Sequence, residues 1–147
     1  MYKKILVATD GSSLSKKAVN SAIALAQIHG ASLIAVKVVP RFTQTYFEGS
    51  IPVNMGEVDK IEKSWADHAH KQLDKVAKDA KAKQVSAKTL VVKSDSVSDA
   101  LVATAKKNKV DLIVMASHGR KGIKRLLLGS ETQQVLTHTT IPVLVMR

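Results

Sequence analysis

The sequence contains no cysteine, which excludes a disulfide framework, a thiolate metal site and a cysteine nucleophile. It also has no apolar run of the roughly 20 residues that a bilayer-spanning helix requires. Acidic residues are few, with 12 Asp and Glu against 23 Lys and Arg, and the formal net charge is +11. This excess of positive charge favours anionic partners such as nucleotides, nucleic acids or acidic proteins, without choosing among them.

Aromatic residues make up only 3% of the chain, and Phe42, Tyr46 and Phe47 fall in one irregular stretch, 41–56. Because aromatic residues are not interleaved with the basic ones, base-stacking platforms are not evident, and a nucleic acid is not expected as a partner. The apolar run near the N-terminus is stopped by Asp10 and is too short for a secretory signal. The expected location is therefore the cytoplasm, without membrane association.

Apolar runs that alternate with helical patterns predict an α/β fold for this chain. Strands are predicted at 5–9, 31–39, 87–93, 112–116 and 142–146, and helices from Ser12 or Ser13 to 29, then at 57–83, 96–107 and 130–138. Strands separated by helices pair in parallel with right-handed crossovers. We therefore predict one three-layer domain over residues 1–147, with a five-stranded parallel sheet of order 3-2-1-4-5 and helices on both faces.

The last strand, which starts at Pro142 and ends at Met146, should lie at an edge of this sheet. An apolar edge strand can pair with a second copy of itself. The sequence therefore favours a homodimer formed through this strand, although the terminal Arg147 could instead block such pairing.

The stretch that follows the fourth strand carries the strongest functional signal. It contains Gly119, Gly122 and Gly129, with Arg120, Lys121, Lys124 and Arg125 between them. The pattern Ser130-x-x-Gln133 is a capping box that predicts a helix start at Ser130. Glycines let a ligand approach the backbone, and the unpaired amides of a helix start attract anions. These features predict a phosphate-holding loop, and the alternative is a long basic surface turn.

The predicted strand order also indicates where a ligand would bind. In a doubly wound sheet, ligands bind beyond the carboxyl ends of the strands, where the strand order reverses. Asp10 would then lie beside residues 116–119, with Val38 and Val39 closing the side. Asp10 could accept a hydrogen bond from a ribose or a base, or it could be only a turn or cap residue. For His118 a loop hydrogen bond or a solvent-facing side chain is favoured over acid–base chemistry, because the sequence places no carboxylate beside it.

Motifs of other nucleotide and catalytic sites are absent. There is no P-loop pattern, no Gly-x-Gly-x-x-Gly and no Gly-x-Ser-x-Gly elbow. His68 and His70 are two residues apart on a predicted helix, so their side chains diverge and do not form a metal site. No catalytic or metal-binding residue is predicted.

Four segments together resemble the universal stress protein family over essentially the whole chain. They are Ile-Leu-Val-Ala-Thr-Asp-Gly-Ser at 5–12, Asp-Leu-Ile-Val-Met-Ala-Ser-His-Gly-Arg at 111–120, Leu-Leu-Leu-Gly-Ser at 126–130 and Ile-Pro-Val-Leu-Val at 141–145. The ATP-binding branch of that family carries Gly-x2-Gly-x9-Gly-Ser/Thr. Here Gly119, Gly129 and Ser130 match this spacing, and Ala116 replaces the first glycine.

The resemblance implies an adenine nucleotide as cofactor, namely ATP with or without Mg²⁺, and a dimer formed through the last strand. Combined with the reasoning above, it gives a predicted nucleotide-binding set of Ala8, Thr9, Asp10, Val38, Val39, Met115, Ala116, His118, Gly119, Arg120, Gly122, Gly129, Ser130 and Glu131.

The predicted function is that of a stress-response regulator, a dimeric ATP-dependent switch with slow or no hydrolysis. Slow hydrolysis is expected because the sequence shows no evident water-activating base and no cluster of metal-binding carboxylates beyond Asp10. The alternative is a nucleotide-free dimeric protein that recognises acidic protein partners. Ala116, which adds a methyl group, and Glu131, which would repel a triphosphate if it pointed inward, favour that alternative.

Overall fold

The computed structural model describes residues 1–41, 55–119 and 128–147, in which five strands and four helices alternate along the chain. The strands are β1 (Lys4–Ala8), β2 (Ser32–Val39), β3 (Ala87–Lys93), β4 (Leu112–Ala116) and β5 (Val143–Met146), and the helices are α1 (Ser13–His29), α2 (Met55–Ala82), α3 (Val97–Lys107) and α4 (Ser130–His138). All strand pairs are parallel, and the sheet order is β3-β2-β1-β4-β5. The predicted fold class and strand order are confirmed.

The centre of the sheet is β1, which pairs with β2 on one side and with β4 on the other. Val7 is opposite Ala35 of β2 and Val114 of β4, and all of these residues are completely buried. Helices cover both faces of a parallel sheet, so its central strands consist almost entirely of apolar residues. The short apolar runs of the sequence form strands for this reason.

The two faces of the sheet carry separate apolar cores, because successive side chains of a strand point to opposite faces. Ile5 and Val7 pack in the core that includes residues of α1 and α2. Leu6, which lies between them, packs in the core that includes residues of α3 and α4. The helices therefore flank the sheet in pairs, α1 with α2 and α3 with α4.

The longest helix, α2, has 28 residues and buries Ala69, Leu73, Val76 and Ala80 at the spacing of one helical face. It begins at Met55, slightly before the predicted start. Neither α2 nor any other helix of the described ranges is long and apolar enough to cross a membrane.

Local capping explains where α1 begins and ends. The Ser12 hydroxyl accepts a hydrogen bond from Ser15 N at 3.1 Å, so Ser12 rather than Ser13 is the N-cap residue. Gly30 ends the helix in the left-handed conformation, with φ of 62°, as the sequence predicts. The predicted Ser96 cap of α3 is also present, with its hydroxyl 3.3 Å from Asp99 N.

At the amino ends of the strands, the Asp111 carboxylate joins the start of β1 to the start of β4. It accepts hydrogen bonds from Lys3 N at 2.8 Å and from Lys4 N at 3.1 Å. The Asp111 amide in turn donates to Lys4 O at 3.0 Å. These contacts fix the register of the two central strands at the edge of the sheet opposite their carboxyl ends.

Candidate functional site

A cavity of about 600 Å³ lies at the carboxyl ends of β1, β2 and β4. This volume is within the range of small-molecule sites, about 300–1,000 Å³. The cavity is located between β1 and β4, where the strand order reverses. The helix that follows β1 packs on one face of the sheet, and the helix that follows β4 packs on the other. A doubly wound sheet binds its ligands at this point.

Most of the residues that the sequence singles out come together around this cavity. Those that line it are Ala8, Thr9, Asp10, Val38, Met115, Ala116, His118, Gly119, Gly129, Ser130 and Glu131. They belong to three strand ends and one helix start, so the chain crossovers bring together residues as far apart as 8 and 131.

Other residues of the predicted set lie elsewhere. Val39 is buried, with 5% of its surface exposed, and does not line the cavity, because it follows Val38 on the strand and points to the opposite face. Arg120 and Gly122 lie outside the described residues, as do Lys121, Lys124 and Arg125 and the aromatic residues Phe42, Tyr46 and Phe47.

Several lining residues were missed by sequence reasoning, namely Ser15, Val36, Lys37, Val97, Leu101 and Thr132. Alternation along β2 could have identified Val36, which lies two residues before Val38 on the same face. The helical spacing of four residues between Val97 and Leu101 could have shown that they share one face of α3, but not that this face borders a cavity.

Asp10 is held at the end of β1 by its own turn, and Gly119 lies close to its carboxylate. Its Oδ1 accepts a hydrogen bond from Ser12 N at 2.9 Å, which is an Asx-type turn contact. A Cβ placed on Gly119 would lie 2.7 Å from Asp10 Oδ2, so the backbone of the β4 loop approaches the carboxylate very closely. Asp10 is therefore a turn residue and a cavity residue at once.

The hydroxyls at the end of β1 form a small network beside Asp10. Thr9 Oγ1 lies 3.3 Å from Ser15 Oγ and accepts from Gly11 N at 3.3 Å. Gly11 has φ of 78°, a conformation that favours glycine. The turn between β1 and α1 is thus fixed on the cavity side by polar contacts.

Helix α4 spans Ser130–His138 as predicted, but it is not capped as predicted. Gly129 is the N-cap residue in an extended conformation, no side chain caps this helix, and Ser130 is its first helical residue. The Gly129 carbonyl accepts from Gln133 N at 3.0 Å, while the Gln133 side chain donates to Leu128 O at 3.0 Å. The predicted Ser130 capping box is therefore wrong, because the backbone becomes helical one residue too early for the Ser130 hydroxyl to cap it.

Gly129 itself is fixed by contact with the strand end. Its amide donates to Ser117 O at 2.7 Å, and a Cβ at this position would lie 2.8 Å from that same carbonyl oxygen. Thr132, which is 2% exposed, donates its hydroxyl to Ala116 O at 3.0 Å and Ser117 O at 3.2 Å. These contacts bind the start of α4 to the end of β4. The first residues of α4 line the cavity, and the free amides of a helix start favour an anion.

His118 makes a local contact. Its Nδ1 lies 3.0 Å from Ser117 Oγ, which agrees with the predicted loop hydrogen bond. Within the described residues, no group of three or more His, Asp or Glu side chains is arranged to hold a metal ion.

Glu131 points across to the start of α3. Its Oε2 accepts a hydrogen bond from Ser98 N at 3.1 Å, and Ser98 Oγ donates to Gln134 Oε1 at 2.7 Å. A carboxylate at the start of a helix is stabilised by the helix dipole. Glu131 therefore belongs to the cavity wall and at the same time links α4 to α3.

Comparison with known proteins agrees with this architecture. The profile of the Universal stress protein family matches residues 1–147. Universal stress protein MJ0531 of Methanocaldococcus jannaschii is 34% identical over 147 residues, which are 100% of this chain and 83% of that protein. The structure of universal stress protein UspA from Lactobacillus plantarum matches with a TM-score of 0.85 at 26% identity, over 99% of this chain and 98% of the other. A universal stress protein in complex with cAMP matches with a TM-score of 0.74 at 26% identity, over 99% and 97% of the two chains.

Proposed function

The chain belongs to the universal stress protein family, and from that premise we propose that its cavity binds an adenine nucleotide, specifically ATP. The observation that carries the proposal is the start of α4, which has no side-chain cap and which meets Asp10 and Gly119 in one cavity of about 600 Å³. Such a cavity combines amides that attract phosphate with a carboxylate that can accept a hydroxyl or amino hydrogen bond. A related structure that contains cAMP supports the choice of an adenine nucleotide.

In the proposed complex, the base and ribose occupy the side formed by Asp10, Val36 and Val38. The phosphates lie against Gly119, Gly129 and Ser130, where the backbone is open and the helix start is electropositive. Arg120 and Gly122 belong to the same proposed phosphate loop. Mg²⁺, which binds phosphate oxygens together with one or two carboxylates, would enter with the nucleotide, and Asp10 is the carboxylate beside Gly119.

We propose further that any hydrolysis of ATP is slow and that the nucleotide acts as a switch. Three groups of the cavity wall that could act as a base each make a contact within the protein. Asp10 Oδ1 accepts from Ser12 N, Glu131 Oε2 accepts from Ser98 N, and His118 Nδ1 lies beside Ser117 Oγ. A general base must reach the attacking water in a reactive geometry, and each of these groups would have to give up or share its present contact to do so.

A homodimer through β5 is part of the proposal. In the described sheet β5 pairs with β4 on one side and lies at the edge. Leu144 is 38% exposed on this strand. An apolar edge strand is suited to pair with a second copy. The dimer, the role in the stress response and the cytoplasmic location expected from the sequence are predictions.

Recognition of acidic proteins is a second candidate function, and a cluster of lysines favours it. Lys3, Lys106, Lys107 and Lys109 are exposed. They are close in the fold because Lys4 Nζ donates to Asn108 O at 3.0 Å, joining the start of β1 to the end of α3. This cluster lies at the amino ends of the strands, opposite the cavity, and could act with or without a nucleotide.

The test is to purify the protein gently without added nucleotide, denature it, and identify any released small molecule by chromatography. Isothermal titration with ATP then gives the affinity of the emptied protein. Gly119→Val should abolish binding, because its side chain would fill the approach to Asp10, whereas Ala103→Val on the exposed face of α3 should bind normally. Absence of released nucleotide together with absence of binding would reject the nucleotide proposal and leave acidic-protein recognition.

A further inference from the structure

We propose that Glu131 makes the cavity discriminate among adenine nucleotides by the negative charge of their phosphate groups. The inference rests on the proposed nucleotide site and adds the residue that sets its ligand preference. Each further phosphate brings more negative charge near the Glu131 carboxylate. Glu131 should therefore weaken the binding of ATP more than that of ADP, and the binding of ADP more than that of AMP.

The position of Glu131 puts its charge close to the proposed phosphate site. It is the second residue of α4 and lines the cavity together with Gly119, Gly129 and Ser130. One turn of an α-helix rises only about 5.4 Å, so Glu131 and the first amides of α4 lie within a single turn. Charges interact appreciably over about 8 Å at physiological ionic strength. An anion bound at this helix start therefore experiences the charge of Glu131.

The carboxylate is also held in place. Its Oε2 accepts from Ser98 N at 3.1 Å, and Ser98 is only 1% exposed. A second link, from Ser98 Oγ to Gln134 Oε1 at 2.7 Å, fixes α3 against α4. The dipole of α3 favours a negative charge at this point. The charge thus stays at the cavity edge when a ligand enters, because leaving would cost the contact with Ser98.

This arrangement makes the two helix starts at the cavity edge unequal. At the start of α3, Ser98 N is bonded to Glu131 and Asp99 N is bonded to the Ser96 hydroxyl. At the start of α4, no side chain caps the helix. The Glu131 carboxylate therefore accepts a hydrogen bond at the start of α3, and the start of α4 can stabilise a ligand phosphate.

The experiment is isothermal titration of AMP, ADP and ATP without Mg²⁺, for the unchanged protein and for Glu131→Gln. A glutamine oxygen can still accept from Ser98 N, so this variant removes the charge and keeps the contact. The affinity for ATP should rise relative to that for AMP by about threefold or more, with ADP between them, from the Coulomb interaction of nearby charges. High salt should reduce this difference.

The matched control is Gln134→Ala, which removes the other contact to Ser98 without changing a charge, and its ratio of ATP to AMP affinity should stay constant. An equal effect of Glu131→Gln on all three nucleotides, no effect, or the same change in Gln134→Ala would overturn the inference and leave the nucleotide site intact. No binding of any nucleotide to either protein would overturn both proposals. Should Glu131→Gln misfold by circular dichroism, Glu131→Ala provides the same charge removal.

Discussion

The Asp10 carboxylate and the Gly119 backbone lie so close together that any side chain at position 119 would collide with Asp10. A Cβ at Gly119 would be 2.7 Å from Asp10 Oδ2, while Asp10 Oδ1 accepts from Ser12 N at 2.9 Å. The contact joins the ends of β1 and β4, which are neighbours in the sheet but more than 100 positions apart in the chain. Glycine at 119 therefore protects the position of Asp10, besides leaving room for a ligand.

Gly119→Ala should weaken nucleotide binding more than it destabilises the fold. The added methyl group meets the end of a side chain, which can move, so the free energy of unfolding should fall by less than ~1 kcal/mol. The displaced carboxylate should lower nucleotide affinity by roughly tenfold, or ~1.4 kcal/mol. Titration and urea unfolding measure the two effects. In an Asp10→Ala background, Gly119→Ala should have little further effect on nucleotide affinity. A roughly tenfold loss of affinity in that background too would show that Gly119→Ala does not act by displacing Asp10.

Gly129→Ala should be the more destabilising of the two glycine substitutions. Its methyl group would lie 2.8 Å from Ser117 O and 3.3 Å from His118 Cα, and these are backbone atoms that cannot rotate away. Overpacking of this kind costs about 1–3 kcal/mol. Urea unfolding of both variants under identical conditions gives the comparison. A smaller loss of unfolding free energy for Gly129→Ala than for Gly119→Ala would show that the backbone at the end of β4 shifts easily to make room for the methyl group.

Ser12→Ala should lower the free energy of unfolding by about 1 kcal/mol, the usual cost of losing an N-cap. The Ser12 hydroxyl accepts from Ser15 N at 3.1 Å, and the variant leaves that amide without its partner. Ser13→Ala is the matched control, because Ser13 is exposed and is the first helical residue rather than the cap. Thermal unfolding should separate the two variants, and equal melting temperatures would argue against Ser12 as the cap.

Asp111→Ala should destabilise the sheet from the edge opposite the cavity. Two backbone amides, Lys3 N and Lys4 N, lose their acceptor, and hydrogen bonds to a charged group contribute about 1.5–3 kcal/mol each at most. We expect a total loss of roughly 1–3 kcal/mol, because water can partly replace the carboxylate. Chemical unfolding measures it, with Asp67→Ala on the exposed side of α2 as the control. A loss no greater than that of the control would mean that these contacts add nothing.

Leu144→Glu should convert the proposed dimer to a monomer. Leu144 lies on β5, the edge strand of the sheet. In a dimer paired through β5, the two introduced carboxylates would be buried close to each other, and burial of like charges is unfavourable. Size-exclusion chromatography with light scattering gives the mass of each species. Ile28→Glu is the control, because Ile28 is 77% exposed and lies on α1 rather than on the edge strand. Should both variants and the unchanged chain have the same mass, β5 is not the dimer interface.

The sequence by itself determined the elements and their order. Apolar runs such as Ile5 to Val7 had to be strands covered on both faces, and the alternation with helices required parallel pairing. Two local capping signals were also confirmed, the Ser96 hydroxyl at the start of α3 and the left-handed Gly30 at the end of α1. These are short-range effects, and they can be read from a short stretch of chain.

Only the tertiary structure decided which groups meet at the cavity and how each one is used. The sequence could not show that Glu131 bonds to Ser98, that Val38 rather than Val39 faces the cavity, or that Gly129 rather than Ser130 caps α4. Each of these depends on the packing of elements distant in sequence, where a rotation of one residue moves a side chain to another face. The sequence predicted that a binding site exists, and the fold determined which residues line it.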